Sequence, residues 1–330
     1  MKNNGRFVNR ESWFVVRELR FTIHGPRSTN TGQMLIIVLW VMGLVSVAVG
    51  SLTMRSTHDL RLGVLPLARV QRLGIAQTGL HQALAVLERD DQTADHLEEV
   101  WATGDDPELG TQVLGDIAVD GGRFRVGVRD RDGHLVAGLV DEERKLPLNA
   151  APPEALQRLI ETIQAQQGGA LNQAAPEEIV AGVVDWTDGP EDDPLCAALP
   201  YPCRNGPFQT VDELRLVPGM TPPLFEALQG HLTVYGSGVV NANTAGPDVL
   251  TALGADSAAI IDARQDAPFT ADNPPPGGLG FSSTAFTIPV EAELDRVSGR
   301  ARIAAVVSRD GCATGAPPEA RCILAWLPQR

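Results

Sequence analysis

The residues best suited to bind an ion form a short acidic segment near the middle of the chain. Five carboxylates fall within nine residues, beside a glycine and two prolines that favour a loop: Asp185, Asp188, Glu191, Asp192 and Asp193. Like charges at this density repel one another, and Ca²⁺, which takes about six to eight oxygen ligands, would relieve the repulsion. A solvated acidic turn without metal is the alternative. The spacing is not that of an EF-hand, so Asp185 and Asp188 are the first candidate ligands.

Four cysteines form two pairs that are close in sequence, Cys196 with Cys203 and Cys312 with Cys322. Two local disulfides are the first interpretation, provided that this part of the chain lies in an oxidising compartment. A zinc site is the rival interpretation. The spacings of seven and ten residues do not match the gaps of about two to four residues that are usual in structural zinc sites.

Catalytic patterns are missing from the sequence. It contains no nucleophile elbow, no phosphate-binding loop and no His-Glu-x-x-His. The six histidines are scattered singly, which favours surface or packing roles: His24, His58, His81, His96, His134 and His231. Carboxylates without a partnered base or nucleophile do not identify a hydrolase, so the sequence predicts a protein that is not an enzyme.

The charge balance argues against nucleic acid as a partner. The formal net charge is −14 and the pI is near 4.8. Residues 1–32 hold six basic and two acidic side chains, so the remainder carries −18. Phosphate binding requires a basic surface, which this composition does not supply.

One apolar segment stands out near the N-terminus. No charged residue lies between Ser28 and Met54, and an apolar run extends from Met34 to Met54. A helix of about 20 apolar residues crosses a membrane, and the basic residues before the run predict a cytoplasmic N-terminus with the bulk outside. Three interpretations compete: a secretory signal peptide, a plain signal anchor, and a prepilin-like segment. The third is similar to prepilins because Gly32 directly precedes the run, where a membrane peptidase cuts after glycine.

The elements that must position these residues follow from periodicity and turn signals. Leucines and alanines at helical spacing predict that the spanning helix continues to about Arg89, with a kink or short break at Pro66. Alternating apolar residues predict strands and tight turns over residues 111–138. Prolines at helix starts predict short helices over residues 153–163, 176–184, 211–216 and 221–228. After a linker rich in Pro and Gly, strands return over residues 282–290, 301–308 and 321–327.

This order predicts an α+β fold with an N-terminal transmembrane and amphipathic helix, an antiparallel sheet, and an all-helical domain inserted into that sheet. The domain limits are 33–90 for the helix, 111–140 and 281–330 for the sheet, 141–272 for the helical domain and 273–280 for the linker. Residues 1–32 are the basic leader.

Residues 216–221, with the sequence LVPGMT, resemble the hairpin of a helix-hairpin-helix module. Such hairpins often hold nucleic-acid phosphates, and a membrane-anchored DNA-uptake protein is the alternative function. Arg215 is the one basic residue beside the hairpin, among Asp212, Glu213 and Glu226. We therefore expect a packing role, with Gly219 adopting a backbone conformation that other residues avoid. Asn241 and Asn243 are expected to be turn or cap residues and not catalysts.

An ordered set of strings between Val183 and Leu253 resembles the K-type minor pseudopilins of the type II secretion system. The strings are VVDWTDGPEDDP, YPCRNGPFQTVDELRLVPGM and VVNANTAGPDVLTALG. Gly32 and the apolar run belong to the same resemblance, which therefore spans nearly the whole chain. The fifth residue after Gly32 is Ile37, where most pilins and pseudopilins have a glutamate and where K-type members are similar to this chain in lacking it.

The resemblance implies a minor pseudopilin at the tip of the pseudopilus. It implies an inner-membrane protein with a periplasmic domain, cleaved by prepilin peptidase between Gly32 and Gln33 and methylated at the new N-terminus. Its partners would be the I-type and J-type minor pseudopilins, the pseudopilus, the exported substrates and the outer-membrane secretin. It also implies calcium in the helical domain.

Overall fold

The computed structural model describes residues 31–130, 132–168, 171, 174–189, 195–196, 199–309 and 323–327, and the side chains of residues 31–33 and 52–65 are not included. Residues 1–30 of the leader, Glu191, Asp192, Asp193 and the Cys312 and Cys322 pair lie outside the described residues. The predictions for them are therefore not tested.

The N-terminal helix α1 is a continuous helix over Thr31–Arg89. Its segment Met34–Ser51 has a mean hydropathy of 2.4 and none of its residues is buried. By length and composition it is the one helix in the described part of the chain that could cross a membrane. The helix runs through Pro66 without interruption, so the expected break is wrong. A proline inside a helix removes one hydrogen bond and adds a clash, and helices tolerate this where packing or lipid supports the neighbouring turns.

From residue 64 onward α1 packs on an antiparallel sheet. Ala76, Leu80, Leu84 and Leu87 are buried on one helical face, at the spacing that the sequence predicts. Gly79 lets the helix approach closely, because a Cβ there would meet Phe124 and Val290 at 2.8 Å.

Short elements lead from α1 into this sheet. They are α2 (Val100–Thr103), β1 (Asp105–Asp106) and β2 (Thr111–Gln112). The strands that follow are β3 (Gly115–Val119), β4 (Gly122–Arg129), β5 (Leu135–Ala137) and β6 (Val140–Asp141). The chain then leaves this sheet for residues 146–269 before its last strands rejoin the sheet.

This intervening stretch is mainly helical. It contains β7 (Leu146–Pro147), α3 (Pro153–Gln166), α4 (Pro176–Thr187), a 3-10 helix (Val211–Leu216), α5 (Pro222–Leu228), a 3-10 turn (Gln229–His231), β8 (Leu232–Thr233), α6 (Pro247–Ala252) and α7 (Ser257–Asp266). Four of these helices begin with proline, whose fixed φ suits the first turn. We call residues 146–269 the helical block. It is not entirely helical, because β7 and β8 pair in parallel.

The chain returns to the sheet through β9 (Ala285–Leu294), β10 (Arg300–Ser308) and β11 (Ile323–Trp326). The strand order is β11-β10-β9-β4-β3, with β5 paired to β4 and β6 paired to β9, all antiparallel. The mixed α and β class, the N-terminal apolar helix and the antiparallel sheet are thus confirmed. β6 pairs with β9, so Asp141 belongs to the sheet. The sequence predicts the start of the helical domain at this residue.

Two separate hydrophobic cores result. The sheet core contains Trp101 and Phe286, whose rings meet edge to face at 5.0 Å, together with the buried face of α1. The helical core contains Leu159, Leu214 and Phe225 and is drawn from the helical block. Residues 273–279 carry no helix or strand, as the sequence predicts, whereas Gly280 forms a parallel bridge with Asn241.

Candidate functional site

The apolar segment of α1 is the first functional feature. Its side chains are exposed, with Ile37 at 59% and Trp40 at 70% of their full accessible area. Exposed apolar surface of this size in a long helix marks contact with lipid or with other helices. The backbone at Gly32 and Gln33 is helical, in the first turn of α1.

The acidic segment begins at the end of α4. Asp185 lies on α4 and its Oδ2 accepts a hydrogen bond from the Leu195 amide at 2.9 Å. Asp188 is the C-terminal cap of the helix and is half-buried. The structure therefore places two of the five candidate calcium ligands at one helix end.

A disulfide lies on the C-terminal side of the acidic segment. Cys196 and Cys203 form a disulfide with a Cα–Cα distance of 5.6 Å, which agrees with the local pairing expected from the sequence. The Cys196 Sγ lies 3.3 Å from the Asp185 carbonyl oxygen. The Trp186 ring stacks on Phe208 at 6.5 Å. The disulfide and the rings thus fix both ends of the acidic segment to the helical core.

The hairpin after the first 3-10 helix has the conformation expected for packing. Gly219 has φ +81°, in the left-handed region that favours glycine. Arg215 forms an ion pair with Asp212 at 3.4 Å, a second with Glu226, and stacks on the Phe225 ring at 4.0 Å. Its guanidinium is therefore occupied by groups of this chain, which does not suit phosphate binding.

Three consecutive buried carboxylates connect the helical block to the sheet. We call Asp141, Glu142 and Glu143, with their hydrogen-bond donors, the polar junction. Asp141 is 1% exposed, and its Oδ2 accepts from Ser283 Oγ at 2.8 Å on the sheet side and from Thr244 Oγ1 on the block side. Burial raises the pKa of Asp141 to about 7, against the lowering effect of these hydrogen bonds.

Glu142 repeats the arrangement one residue later. Its Oε2 accepts from Thr233 Oγ1 of β8 and its Oε1 from Thr287 Oγ1 of β9, each at 2.6 Å. The ammonium of Lys145 also pairs with this carboxylate. Glu142 therefore bridges the two regions while its charge is balanced locally, as a buried carboxylate requires.

Glu143 completes the polar junction. Its Oε1 accepts from the Ser237 amide on the block side, and its Oε2 accepts from the Thr284 amide at 2.7 Å on the sheet side. Each of the three carboxylates thus accepts hydrogen bonds from both regions. Since hydrogen bonds are directional, the polar junction fixes the orientation of the helical block on the sheet.

A second buried charge cluster lies at the end of α1. Arg309 is 5% exposed and donates to Asp90 Oδ2 at 2.6 Å and to Asp95 Oδ2 at 3.1 Å. Three carboxylates lie close enough to one another to share a cation: Asp90, Asp95 and Glu99. The Arg309 guanidinium provides the positive charge at this position. Burial, then the charge of Glu99, raise the pKa of Asp90 to about 7, although Arg309 opposes the shift.

Sequence reasoning missed the polar junction. Runs of acidic residues are normally exposed, so Asp141 to Glu143 drew no attention. A signal was present in Asn241 and Asn243, which were expected to be turn residues. The Asn243 amide donates to Asn241 Oδ1 at 2.9 Å, which is that turn. The Asn241 side-chain amide also donates to Ser283 Oγ at 2.8 Å, which brings the turn into the junction.

Comparisons with known proteins give the family. A family model described as type II secretion system (T2SS), protein K, matches residues 136–237. Type II secretion system protein K of Klebsiella pneumoniae is 28% identical, over 71% of this chain and 73% of its own length. A structural match spans 84% of this chain and 99% of a chain in a known crystal structure. That structure is the GspK-GspI-GspJ complex from the enterotoxigenic Escherichia coli type 2 secretion system.

That structural match has a TM-score of 0.55 at 18% identity, which shows a shared fold. These comparisons do not support the DNA-binding alternative, and the family they identify is a structural component of a secretion system. The residues matched by the family model include the three carboxylates of the polar junction and most of the helical block. The chain is therefore similar to the K-type minor pseudopilins of the type II secretion system, in sequence over most of its length and in fold.

Proposed function

We propose that this chain is a minor pseudopilin that occupies the tip of the pseudopilus, where it initiates the fibre and closes its upper end. The observation that carries the proposal is the helical block, which has its own core and is held on the sheet by the polar junction. A subunit in the shaft has neighbours above and below. A rigid block of this size would clash with a subunit stacked above it, so the tip is the position that accommodates it.

We infer that the helical block is an inserted, mainly helical domain of the helix-hairpin-helix or SAM-like kind, used here for assembly and not for catalysis. Its support is the position of residues 146–269 between β6 and β9 of one sheet. Its exposed surface would meet exported substrate or the outer-membrane secretin.

The same proposal places the apolar segment Met34–Ser51 of α1 in the inner membrane and the chain that follows it in the periplasm. The support is the apolar segment Met34–Ser51 behind a basic leader. In the assembled fibre this helix packs beside the helices of the I-type and J-type minor pseudopilins. Ile37 cannot provide the carboxylate that pairs with the free amine of another subunit, and such a pair is not needed at a tip.

Co-purification and imaging test the tip position. The full-length chain is expressed with I-type and J-type pseudopilins and with prepilin peptidase. We expect a complex of all three and label on the chain at one end of each pseudopilus. A label distributed along the shaft, or a chain that purifies without the other two, contradicts the proposal.

Mass spectrometry of the mature chain tests processing. A mature N-terminus at Gln33, methylated and dependent on prepilin peptidase, is the expected result. Gly32→Ala should block cleavage. Gly43→Ala is the matched control, because a Cβ at Gly43 meets nothing within 4 Å. A mature chain that retains residues 1–32 contradicts the assignment.

We further propose that the acidic segment binds Ca²⁺ through Asp185 and Asp188 together with Glu191, Asp192 and Asp193. Oxygen donors of this kind suit Ca²⁺, and the disulfide holds the segment compact. Asp185 Oδ2 already accepts the Leu195 amide, so its second oxygen would face the ion. When bound, the ion would supply positive charge that neutralises the loop.

Calorimetry of the full chain in detergent with Ca²⁺ tests this site. We expect heat of binding and a higher melting temperature, both lost in Asp185→Asn/Asp188→Asn. Asp262→Asn, at an exposed carboxylate on α7, should leave both unchanged. No heat together with no effect of a chelator on melting contradicts the calcium site.

A further inference from the structure

The outer face of the sheet carries an unusual arrangement of arginines. Phe124, Val126 and Val290 point into the sheet core, so the intervening residues of β4, β9 and β10 face the opposite side. We call that set the arginine face. It consists of Arg123, Arg125, Arg129, Arg300 and Arg302 with the carboxylates Asp116, Glu291 and Glu293.

The arginines form regular cross-strand rows. Arg125 of β4 and Arg302 of β10 flank Glu291 of β9. Arg123 and Arg300 flank Glu293 in the next row. Two rows separated by two residues along each strand place guanidiniums about 6.6 Å apart in the strand direction.

The carboxylates do not balance these arginines. Four guanidiniums surround the single carboxylate of Glu291, from Arg125 at 3.4 Å, Arg129 at 2.9 Å, Arg300 at 3.4 Å and Arg302 at 3.0 Å. This face has five arginines and three carboxylates, in a chain whose net charge is −14. The guanidiniums repel one another, and a further carboxylate from outside would relieve that repulsion.

On the β10 side of this face the positive groups lie outermost. The side chains of Arg300 and Arg302 are 48% and 50% exposed, whereas Glu291 and Glu293 below them are 11% and 25% exposed. The arginines lower the pKa of Glu291, although burial opposes the shift, so the carboxylate stays charged at neutral pH. The surface presented to a partner along β10 is therefore formed by guanidiniums that lie above ionised carboxylates.

An apolar groove adjoins this layer. It has a volume of about 340 Å³ and is lined by Gly127, Leu135, Pro289 and Ala304 between Arg129 and Arg302. Only glycine fits at residue 127 of this lining, since a Cβ there would meet the Val136 carbonyl oxygen at 2.2 Å and φ is +150°. The pairing of β4 with β9 ends beside the groove, at Val126 and Val290. The next residue of β9 toward the groove is Pro289, which has no N–H to donate to a neighbouring strand.

We propose that the arginine face binds an extended acidic segment of a partner protein. In an extended chain every second side chain points to one side, at the same spacing as the guanidinium rows. Carboxylates at alternate positions lie over Arg300 and Arg302 or over Arg123 and Arg125, and an apolar side chain enters the groove. Paired rows and a groove suit a peptide better than a single lipid headgroup. This inference does not depend on the position of the chain in the fibre.

Binding of a defined peptide to the full-length chain in neutral detergent tests the proposal. The probe is fluorescein-labelled Glu-Thr-Glu-Thr-Leu, and its control has Gln in place of Glu. We expect saturable anisotropy with the acidic peptide only, weakening as NaCl increases because exposed charge pairs are screened. Arg300→Gln/Arg302→Gln should weaken binding about tenfold.

Two further variants separate recognition from a structural role. Glu293→Gln removes a competing carboxylate and should tighten peptide binding about threefold, a change that a purely structural role would not produce. Arg215→Gln removes one positive charge from the helical block and should leave binding within about twofold. Melting temperatures confirm that each variant is folded.

Three results would overturn the proposal. One is the absence of saturable binding by the acidic peptide at low salt. Another is equal weakening by Arg215→Gln and by the Arg300 and Arg302 substitutions, which would show non-specific charge attraction. The third is that phosphatidylglycerol vesicles bind through these arginines while the peptide does not, which would assign the face to lipid.

Discussion

The two hydrophobic cores are built in different ways. The sheet core depends on strands far apart in the chain, since Arg125 of β4 lies beside Glu291 of β9, 166 residues later. The helical core comes from one continuous stretch. Between them lies the polar junction and not a third apolar layer. Apolar burial, which is non-directional, stabilises each region, while hydrogen bonds, which are directional, fix one region to the other.

Core truncations should give the largest effects and show whether the two cores unfold separately. Phe286→Ala in the sheet core should cost about 3–5 kcal/mol and Leu159→Ala in the helical core about 2–5 kcal/mol. Hydrogen exchange should show lost protection in β9 and β10 for the first variant and in α3 for the second. Equal loss in both regions for either variant would show a single cooperative unit.

The pH dependence of stability should report on Asp141. Its pKa is raised from 3.8 to about 7 in the folded protein, so the folded state holds this proton more tightly than the unfolded chain. Stability therefore increases as pH falls from about 7 towards 4, by at most about 4 kcal/mol for this group. Melting temperatures between pH 8 and pH 5 measure the trend.

Asp141→Asn should make that pH dependence shallower and not abolish it, since Asp90 contributes in the same direction with a pKa of about 7. A wild-type protein that melts at a lower temperature at pH 5 than at pH 8 would contradict the assignment.

Breaking the polar junction should separate the two regions without destroying either core. Glu143→Ala leaves the backbone amides of Ser237 and Thr284 without their charged acceptor, at a cost of about 1–3 kcal/mol. Limited proteolysis should then cut between the helical block and the sheet. Glu143→Gln, which retains an oxygen acceptor, should be cut more slowly. Unchanged proteolysis in both variants would refute a fixing role.

Removing the disulfide should have a smaller and local effect. The pair Cys196 and Cys203 closes a loop with a sequence separation of seven, for which chain entropy gives about 2–2.5 kcal/mol. Cys196→Ser/Cys203→Ser should loosen the end of α4 in hydrogen exchange and leave the sheet core unchanged. Loss of protection in β9 would show that the disulfide also supports the sheet.

Local signals predicted the elements, and long-range contacts limited the rest. Prolines at helix starts located α3, α4 and α5, and alternation located β4, β9 and β10 because each pattern is complete within a few residues. The continuity of α1 through Pro66 was not predictable, because the tolerance of one lost hydrogen bond depends on the surroundings of the helix.

The polar junction and the arginine face were hidden for a related reason. Asp141 is buried only because Thr244 and Ser283, over 100 residues later, supply donors. Arg125 and Arg302 become neighbours only through the register of β4, β9 and β10. A single sequence gives the residue types but not these pairings. Acidic and basic residues alike therefore look like ordinary surface positions.

The distance in sequence between β4 and β9 sets an order of events during synthesis. At about 5–20 residues per second, the ribosome needs on the order of 10–30 s to add the 166 residues between paired positions. The helical block can acquire its shape in that interval, whereas β4 waits with an open edge. Such edges recruit foreign strands, so β4 stays open to mispairing for as long as its partner strand has not been made.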